Sequence, residues 1–269
     1  MARRTTSIPA RARRDEIARH AETAGLASVE ELSRHYGVTP STIRRDLARL
    51  AEEGALARTY GGAIPLTGPS ETTLREREIE SHPAKIALAA WAREQIADGD
   101  RVLLDGGSTV GELAKVLAGS ATGHDLHVTA IGLNALRLLG DVEGMELTSP
   151  GGAVRPSSQS FVGPVTDAAL QRMTFDRVFL SSDGVTVENG LCEAGPEQTR
   201  LKEIMAAQSR EAYVLADSTK LGHRPFHSWA RMPLPWTLVT DDAAEDREVE
   251  RFRRSGVEVH VVATSTASA

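Results

Sequence analysis

Cysteine is almost absent from this sequence, and so are long uncharged apolar runs. The 269 residues include a single cysteine, Cys192, which excludes a disulfide within the chain and a zinc site built from several cysteines. His223 and His227 in "HRPFH" have metal-ligand spacing on a helix, but Pro225 between them argues against that helix. We therefore expect no metal and no cofactor. No stretch reaches the length of about 20 apolar residues that a membrane-spanning helix needs, so we expect no membrane partner.

A secretory signal is also missing. The first residues, "MARRTTSIPARARRDE", are basic but contain no apolar h-region, so we expect a cytoplasmic protein. The composition, with 41% hydrophobic and 25% charged residues, is typical of a globular protein with enough core for two domains.

Basic residues are outnumbered by acidic residues in the chain as a whole, and the net charge is −6. It is concentrated at one end, since residues 1–63 contain 11 arginines against 8 acidic residues, whereas the remainder contains 20 basic and 29 acidic residues. A basic segment attached to an acidic body can approach nucleic-acid phosphates by itself. A solvated basic tail would give the same counts, so charge alone leaves both interpretations open.

Three predicted helices occupy the start of the chain. They are "ARARRDEIARHAETA", "SVEELSRHYG" and "VTPSTIRRDLARL", and the last places Ile43, Leu47 and Leu50 on one buried face. Two short helices joined by a glycine-containing turn predict a helix-turn-helix, whose second helix enters the DNA major groove. The following "EEGALARTYGGAIP" predicts two short strands, over residues 56–59 and 63–64, which form the wing of a winged helix.

The third helix and the wing carry the candidate DNA contacts. Residues near the start of the helix suit base edges, because arginine can hold guanine and threonine can contact a thymine methyl. Arginine and tyrosine farther along suit phosphate, which positions the protein without specifying a sequence. A solvated face, or ion pairs with Asp46 or Glu52, is the alternative for the arginines. The predicted DNA-contacting residues are Thr39, Ser41, Thr42, Arg44, Arg45, Arg58 and Tyr60.

The rest of the chain predicts an α/β domain. From Lys85 onward, apolar strands such as "RVLL" and "LHVTA" alternate with amphipathic helices, which indicates a mostly parallel sheet covered on both faces. The predicted domains are a winged helix-turn-helix over residues 1–63, a linker over 64–80, an α/β effector-binding domain over 81–263 and a disordered tail over 264–269. An extended arm packed on the body is the alternative for the linker.

Four strand ends of this sheet carry glycines and polar side chains, at the edge where such sheets bind ligands. In "LLDGGSTVGEL" the glycines allow a close turn, and the following helix start offers N–H groups and two hydroxyls to a phosphate. The acidic residues could take sugar hydroxyls. An ordinary strand-to-helix turn and a surface lysine remain the alternatives. The predicted effector-binding residues are Asp105, Gly106, Gly107, Ser108, Thr109, Gly152, Arg155, Asp183 and Lys220.

Both halves of the chain resemble the DeoR family of bacterial transcription regulators. "TIRRDL" and "RTYGGA" are similar to its DNA-binding domain, and "DGGST", "GGAVRPSSQSFVGP", "GLCEAGPEQTRLKEIM" and "LADSTKLGHRPF" follow in the order of its sensor domain. The resemblance implies an isomerase-like sensor fold, similar to ribose-5-phosphate isomerase, and a phosphorylated sugar or related metabolite as effector. It implies that Thr42, Arg44 and Arg45 lie at the operator, and that residues 106–109 hold the phosphate with Lys220 nearby.

The sequence departs from the family at two places. Ala130 and Ile131 follow Thr129 where the family often has Asn-Ser, and Ser181 and Ser182 precede Asp-Gly where it often has Gly-Ala. These changes leave the identity of the effector open.

The resulting prediction is a DNA-binding transcriptional regulator, a repressor, that acts as a homo-oligomer on paired half-sites because one winged head alone buries too little surface. One alternative is an isomerase-like sugar-phosphate enzyme with an accessory N-terminal domain. Related isomerases carry acidic residues where this chain has Thr186 and Val187, and Glu188 lies one position beyond, so the catalytic base is missing and we expect no enzyme. A DNA binder without a ligand is the other alternative.

Overall fold

The computed structural model describes residues 12–14, 16–17, 27–52, 56–59, 62–65, 72–120 and 125–264. The chain divides into two compact units, Met1–Ser70 and Glu71–Ala269. No helix among the described residues has the length and apolar character needed to cross a membrane.

The first unit contains the predicted helix-turn-helix and wing. Its helices and strands are β1 (Ala27–Ser28), α1 (Val29–Tyr36), α2 (Pro40–Glu52), β2 (Leu56–Thr59) and β3 (Gly62–Pro65). β2 and β3 pair antiparallel as a hairpin, and β1 adds a third strand beside β3 that the sequence did not predict. Helical turns are also described at 12–14 and 16–17, within the segment predicted as the first helix.

The core of the first unit includes the three residues of α2 that helical spacing placed on one buried face. Ile43, Leu47 and Leu50 are each less than 5% exposed, and they pack with Ile17 and Leu32. Burial of this stripe fixes which side of α2 faces outward, because positions between the buried residues fall on the opposite side of the helix.

The second unit contains the remaining helices and strands. Its helices are α3 (Leu74–Ile79), α4 (His82–Glu94), α5 (Ser108–Gly119), α6 (Leu133–Leu139), α7 (Pro164–Leu170), α8 (Pro196–Ala207) and α9 (Asp246–Arg254). Its strands are β4 (Arg101–Leu104), β5 (Leu126–Ala130), β6 (Met145–Thr148), β7 (Ala153–Arg155), β8 (Ser160–Val162), β9 (Phe175–Leu180), β10 (Gly184–Thr186), β11 (Gly190–Glu193), β12 (Ser209–Leu215), β13 (Ser228–Ala230), β14 (Thr237–Asp241) and β15 (Glu258–Val262).

Seven of these strands form one parallel sheet in the order β15-β14-β12-β9-β4-β5-β6. This confirms the predicted mostly parallel α/β architecture. From β4 the chain proceeds outward through β5 to β6, and later returns to place β9 on the other side of β4. The loops that follow β4 and β9 therefore diverge, which makes this the switch point where such sheets form a ligand crevice.

Two hydrophobic cores cover the two faces of the sheet. Neighbouring residues of β4 alternate between them, since Leu103 belongs to one core and Val102 and Leu104 belong to the other. Apolar residues of α7, α8 and α9 complete the first core, and those of α4, α5 and α6 complete the second. The sheet is thus buried on both faces, as parallel sheets require.

Two smaller antiparallel sheets, β10-β11-β13 and β7-β8, lie outside the main sheet. Helix α3, which lies in the segment predicted as a linker, packs against α5 and buries Leu74. It is a helix on the body of the second unit, rather than the extended arm that the sequence left as an alternative.

Candidate functional site

The outward face of α2 presents three of the predicted DNA-contacting side chains to solvent. Ser41, Arg44 and Arg45 are exposed, whereas Asp46, which follows them, is buried. The Asp46 carboxylate accepts a hydrogen bond of 2.7 Å from Nε of Arg13, in the segment before α1. Asp46 is therefore occupied on the inner side of α2, and in the described part of the chain it pairs with neither of the two exposed arginines.

Thr39 caps the start of α2 with its hydroxyl. Its Oγ1 accepts a hydrogen bond of 3.3 Å from the amide of Thr42 and lies 2.8 Å from the hydroxyl of Ser41. The three hydroxyls therefore cluster at the N-terminal end of the helix, where a DNA-reading helix contacts base edges. The side chain of Arg58 and all of Tyr60 lie outside the described residues.

A small cavity of about 30 Å³ lies at the carboxyl ends of β4 and β9, at the switch point of the sheet. Four of the predicted effector-binding residues line it: Asp105, Gly106 and Gly107 after β4, and Asp183 after β9. The other lining residues are Arg77, Ile131, Ser158, Ser160, Val162, Ser181, Ser182, Glu193, Gln198, Leu201 and Lys202.

The remaining predicted residues lie beside the cavity or elsewhere. Ser108 and Thr109 are buried in the first turn of α5, directly after the glycines. Gly152 packs against Thr166, and Arg155 donates a hydrogen bond to the Ser157 hydroxyl.

Lys220 does not line the cavity in the described structure. Its Nζ lies 3.9 Å from a carboxylate oxygen of Asp217. Burial of Lys85 lowers the pKa of that residue to about 8, and the nearby charge of Lys220 contributes to the shift.

The two glycines of "DGG" allow the backbone to form the cavity wall. A Cβ on Gly106 would lie 2.6 Å from Cβ of Ser160, so only hydrogen fits at this position. Gly107 has a φ of 112°, a conformation that L residues rarely adopt, and it precedes α5 as the N-cap without supplying a side-chain acceptor. The first N–H groups of α5 have no intrahelical acceptor and carry the positive end of the helix dipole.

A buried ion cluster forms the floor of the cavity. The Asp105 carboxylate accepts hydrogen bonds from Nζ of Lys202 and from the amide of Ser181, the latter at 2.9 Å. Lys202 also lies 3.2 Å from Glu193, whose other oxygen accepts a hydrogen bond of 3.0 Å from Gln198. Asp105 is thus engaged within the protein, although the sequence suggested that it could bind sugar hydroxyls.

Burial and mutual attraction shift the pKa values of this cluster. Burial alone would lower the pKa of Lys202, but the carboxylates of Asp105 and Glu193 outweigh it and hold that pKa above its usual range. Burial raises the pKa of Glu193 to about 8, because the ammonium of Lys202 is shared with Asp105 and offsets only part of the desolvation. When Glu193 is protonated, the floor holds one cation, Lys202, and one anion, Asp105. A single ion pair is the arrangement with the smallest desolvation cost in a site that excludes water.

Several polar atoms in or beside the cavity are buried without a hydrogen-bond partner among the described residues. They include Oγ1 of Thr109, Oγ of Ser182, Oδ2 of Asp183 and Oε1 of Gln198. Buried polar groups are normally paired, so such atoms indicate a position for a ligand or for water. The departure from the family at Ser182 therefore adds a hydroxyl to the cavity, whereas Ile131 adds an apolar wall.

Arg77, Glu193 and Lys202 were not selected from the sequence, although the last two stand in the quoted motif "GLCEAGPEQTRLKEIM". Lys202 occupies an ordinary position on an amphipathic helix, and Arg77 lies in a charged segment where every side chain could be solvated. Ser158 and Ser160 stand in the quoted motif "GGAVRPSSQSFVGP", so the resemblance marked their segment but not the residues.

Both halves of the chain match family models of known proteins. The model of the DeoR-like helix-turn-helix domain matches residues 13–67, and that of the DeoR C terminal sensor domain matches residues 80–242. The HTH-type transcriptional regulator GlpR of Haloferax volcanii is 34% identical over 233 residues, which cover 86% of this chain and 90% of the relative. The putative aga operon transcriptional repressor of Escherichia coli O157:H7 is 32% identical over 253 residues, covering 93% of each protein.

Among solved structures, a ribose 5-phosphate isomerase A from Methanocaldococcus jannaschii aligns with 51% of this chain and 52% of its own. The sequence identity is 19% and the TM-score is 0.37, which is too low to carry an inference about function. The matching family models and the two relatives, in contrast, cover most of the chain. The chain therefore belongs to the DeoR family, and it is a transcriptional regulator.

Proposed function

We propose that this regulator is a repressor that leaves its operator when a phosphorylated sugar, or a related anionic metabolite, binds in the cavity of the second unit. The observation that carries the proposal is the set of unpartnered polar groups at the switch point. The N-terminal end of α5 suits a phosphate, and the hydroxyl of Ser182 with the free oxygen of Asp183 suits sugar hydroxyls.

The first unit reads DNA through α2 and the wing. Ser41, Thr42 and Arg44 contact base edges, because they lie near the start of α2, where Ser41 and Arg44 are exposed. Thr39, whose hydroxyl bonds to those of Ser41 and Thr42, contacts DNA beside them. Arg45 contacts phosphate, together with Arg58 and Tyr60 of the wing. The exposed state of both helix arginines supports this assignment.

The protein works as a homo-oligomer, because one such head contacts too few base pairs for specific recognition and two heads can occupy paired half-sites. The effector acts by binding two arrangements of the oligomer unequally, with a coupling of about 1–3 kcal/mol. This function requires access to chromosomal DNA, which places the protein in the cytoplasm. The proposed domains are 1–63 and 81–263 with the connection 64–80, and α3 within that connection is part of the second unit.

The cavity binds its ligand without turnover. Glu188, the acidic residue next to the place where related isomerases carry their base, forms ion pairs of 3.0 Å with Arg224 and 2.5 Å with Arg251, outside the cavity. Glu193 does line the cavity, but its carboxyl group is engaged by Lys202 and Gln198. A proton-shuttling base needs access to the substrate, which neither residue has in this arrangement.

The proposal is tested by a thermal-shift screen of the full chain with pentose, hexose and triose phosphates, each paired with its unphosphorylated form. We expect one phosphorylated compound to raise Tm and to release the protein from an operator selected in vitro from random DNA. The same compounds are assayed for turnover. Stabilisation without release contradicts the sensor role, and conversion of the compound contradicts the non-enzymatic role.

A further inference from the structure

Helix α3 contributes a side chain to the cavity from the segment that leads to the first unit. Arg77 lines the cavity, and its Nη1 donates a hydrogen bond of 2.9 Å to Oδ1 of Asp183. Both side chains are mostly buried, with 14% of Arg77 and 11% of Asp183 exposed. An ion pair at this depth is screened little by solvent, so its Coulomb attraction exceeds that of a surface pair, while the desolvation of both charges offsets part of the gain.

Other contacts hold α3 in the position that places Arg77 in the cavity. Thr73 and Glu76 form a reciprocal capping box at its start, and the amide of Leu74 donates a hydrogen bond of 2.9 Å to the carbonyl of Ser157. At its end, Nζ of the buried Lys85 donates hydrogen bonds to the carbonyls of Arg77 and, at 2.6 Å, of Glu80. The position of Arg77 is therefore built into the fold.

The charges of the cavity make Arg77 necessary for an anionic ligand. The lining residues in the described part of the chain include two cations, Arg77 and Lys202, and three carboxyl groups, on Asp105, Asp183 and Glu193. Lys202 is engaged in the floor by Asp105 and Glu193. Without Arg77, Asp183 would be the one charged side chain among the described lining residues that is not engaged in the floor, and its carboxylate would repel an anion bound at the N-terminal end of α5.

The size of the cavity implies that the Arg77–Asp183 pair must open for a ligand to enter. A volume of about 30 Å³ accommodates roughly two water molecules, far less than any sugar phosphate needs. The pair joins a helix of six residues to a loop of the sheet. Separating α3 from this loop enlarges the cavity. It breaks the Leu74–Ser157 hydrogen bond and uncovers Leu74, which belongs to neither core of the main sheet, whereas the floor is fixed by buried charges.

We propose that Arg77 closes the cavity in the ligand-free protein and becomes a ligand of the effector's anionic group, so that the Arg77–Asp183 ion pair opens and α3 moves when the effector binds. The proposal rests on the proposed sensor function. It also assigns a specificity: a phosphorylated polyol offers phosphate to Arg77 and hydroxyls to Asp183, whereas inorganic phosphate or an unphosphorylated sugar satisfies only one of them.

The test uses the full chain, the best sugar phosphate from the screen, its unphosphorylated form and inorganic phosphate, with affinities measured by calorimetry. We expect Arg77→Gln to weaken binding of the sugar phosphate about 10- to 100-fold while changing binding of the unphosphorylated form little, because a hydrogen-bonded charge is lost. Arg75→Gln removes the same charge from an exposed position of the same helix, and it should bind like the wild type.

Hydrogen exchange of residues 74–79 measures the movement of α3. We expect the sugar phosphate to accelerate exchange in the wild type, and Asp183→Asn to accelerate it without any ligand. Asp183→Asn also keeps the test decisive if Arg77→Gln fails to fold.

Two results would overturn the inference while leaving the sensor function intact. One is wild-type affinity of Arg77→Gln for the sugar phosphate, and the other is unchanged exchange of α3 in both the liganded wild type and Asp183→Asn. If the wild type binds no compound of the screen, the sensor function fails, and the role of Arg77 fails with it.

Discussion

Ser181 and Ser182 are neighbours in the cavity wall, yet their hydroxyls have different surroundings. Oγ of Ser181 donates within the protein, where the carbonyl of Gly106 lies 2.8 Å away and the Asp105 carboxylate 3.3 Å away. Oγ of Ser182 is equally buried and has no partner in the described structure. The first hydroxyl therefore stabilises the fold, and the second is available to a ligand.

This difference predicts opposite effects of two alanine substitutions. Ser181→Ala should lower the free energy of unfolding by about 1–3 kcal/mol, because it leaves buried acceptors without their donor. Ser182→Ala should leave stability nearly unchanged and weaken sugar-phosphate binding about 2- to 10-fold, the loss of one neutral hydrogen bond. Urea unfolding and calorimetry on both variants measure the two quantities. Equal loss of stability in the two variants would contradict the assignment.

Individual site residues were predictable from the sequence only where they stand in a local motif. Asp105 and the two glycines after it could be selected because a strand, a tight turn and a helix start follow one another within a few residues. Lys202 could not be selected, because it reaches Asp105 across 97 positions of the chain and, like Lys85 and Lys115, it stands in a helix with no local sign of its role. The contact depends on how α8 packs on the sheet, which no local pattern records.

At the level of elements, the turn between β4 and α5 depends on the conformation of Gly107. Its φ of 112° strains any other residue, and an added Cβ would lie 2.8 Å from Oγ of Ser181. Gly119, at the other end of the same helix, has nothing within 4 Å of the place of its Cβ. The two glycines thus differ in environment while sharing α5.

We therefore expect Gly107→Ala to destabilise the second unit by about 1–3 kcal/mol and to weaken ligand binding, because the start of α5 is displaced from the cavity. Gly119→Ala should be neutral or stabilising by up to about 1 kcal/mol, since alanine is the better helix former. Thermal unfolding monitored by circular dichroism compares the two. A Gly107→Ala protein as stable as the wild type would show that the turn tolerates a side chain.

Long elements were predicted better than short ones. The helices and the parallel strands of the main sheet follow from period and apolar content, whereas β10, β11 and β13 were missed. These strands have three or four residues, and β11 pairs with β13 from about forty positions away in sequence. So short an apolar run cannot be distinguished from a loop. The same limit applies to β8, which the sequence assigned to the start of the following helix.

At the level of the whole molecule, the separation of charge predicts how DNA binding responds to salt. The acidic second unit repels phosphate, so attraction comes from the arginines of the first unit, and affinity should fall steeply as salt rises. Arg45→Ala should weaken binding to all sequences alike and reduce the slope of log K against log salt by about 1, as expected for a phosphate contact.

Arg44→Ala provides the matched comparison on the same helix. It should weaken operator binding by about 1–3 kcal/mol and reduce discrimination against altered operators, because a base contact is lost. Fluorescence anisotropy of the full chain, with operator and scrambled DNA at several salt concentrations, measures both effects. If both variants match the wild type on both DNAs, α2 does not lie in the groove.

The divergence of the loops at the switch point has a consequence for truncated forms of the protein. The hydrogen bonds of the cavity join residues far apart in sequence, with 106 positions between Arg77 and Asp183, and its floor needs Lys202. In the first unit, by contrast, the ion pair between Arg13 and Asp46 of α2 spans only 33 positions of the chain. A truncated chain that ends before α8 would carry the first unit without the cavity floor, so any DNA binding that it retained would not respond to the metabolite.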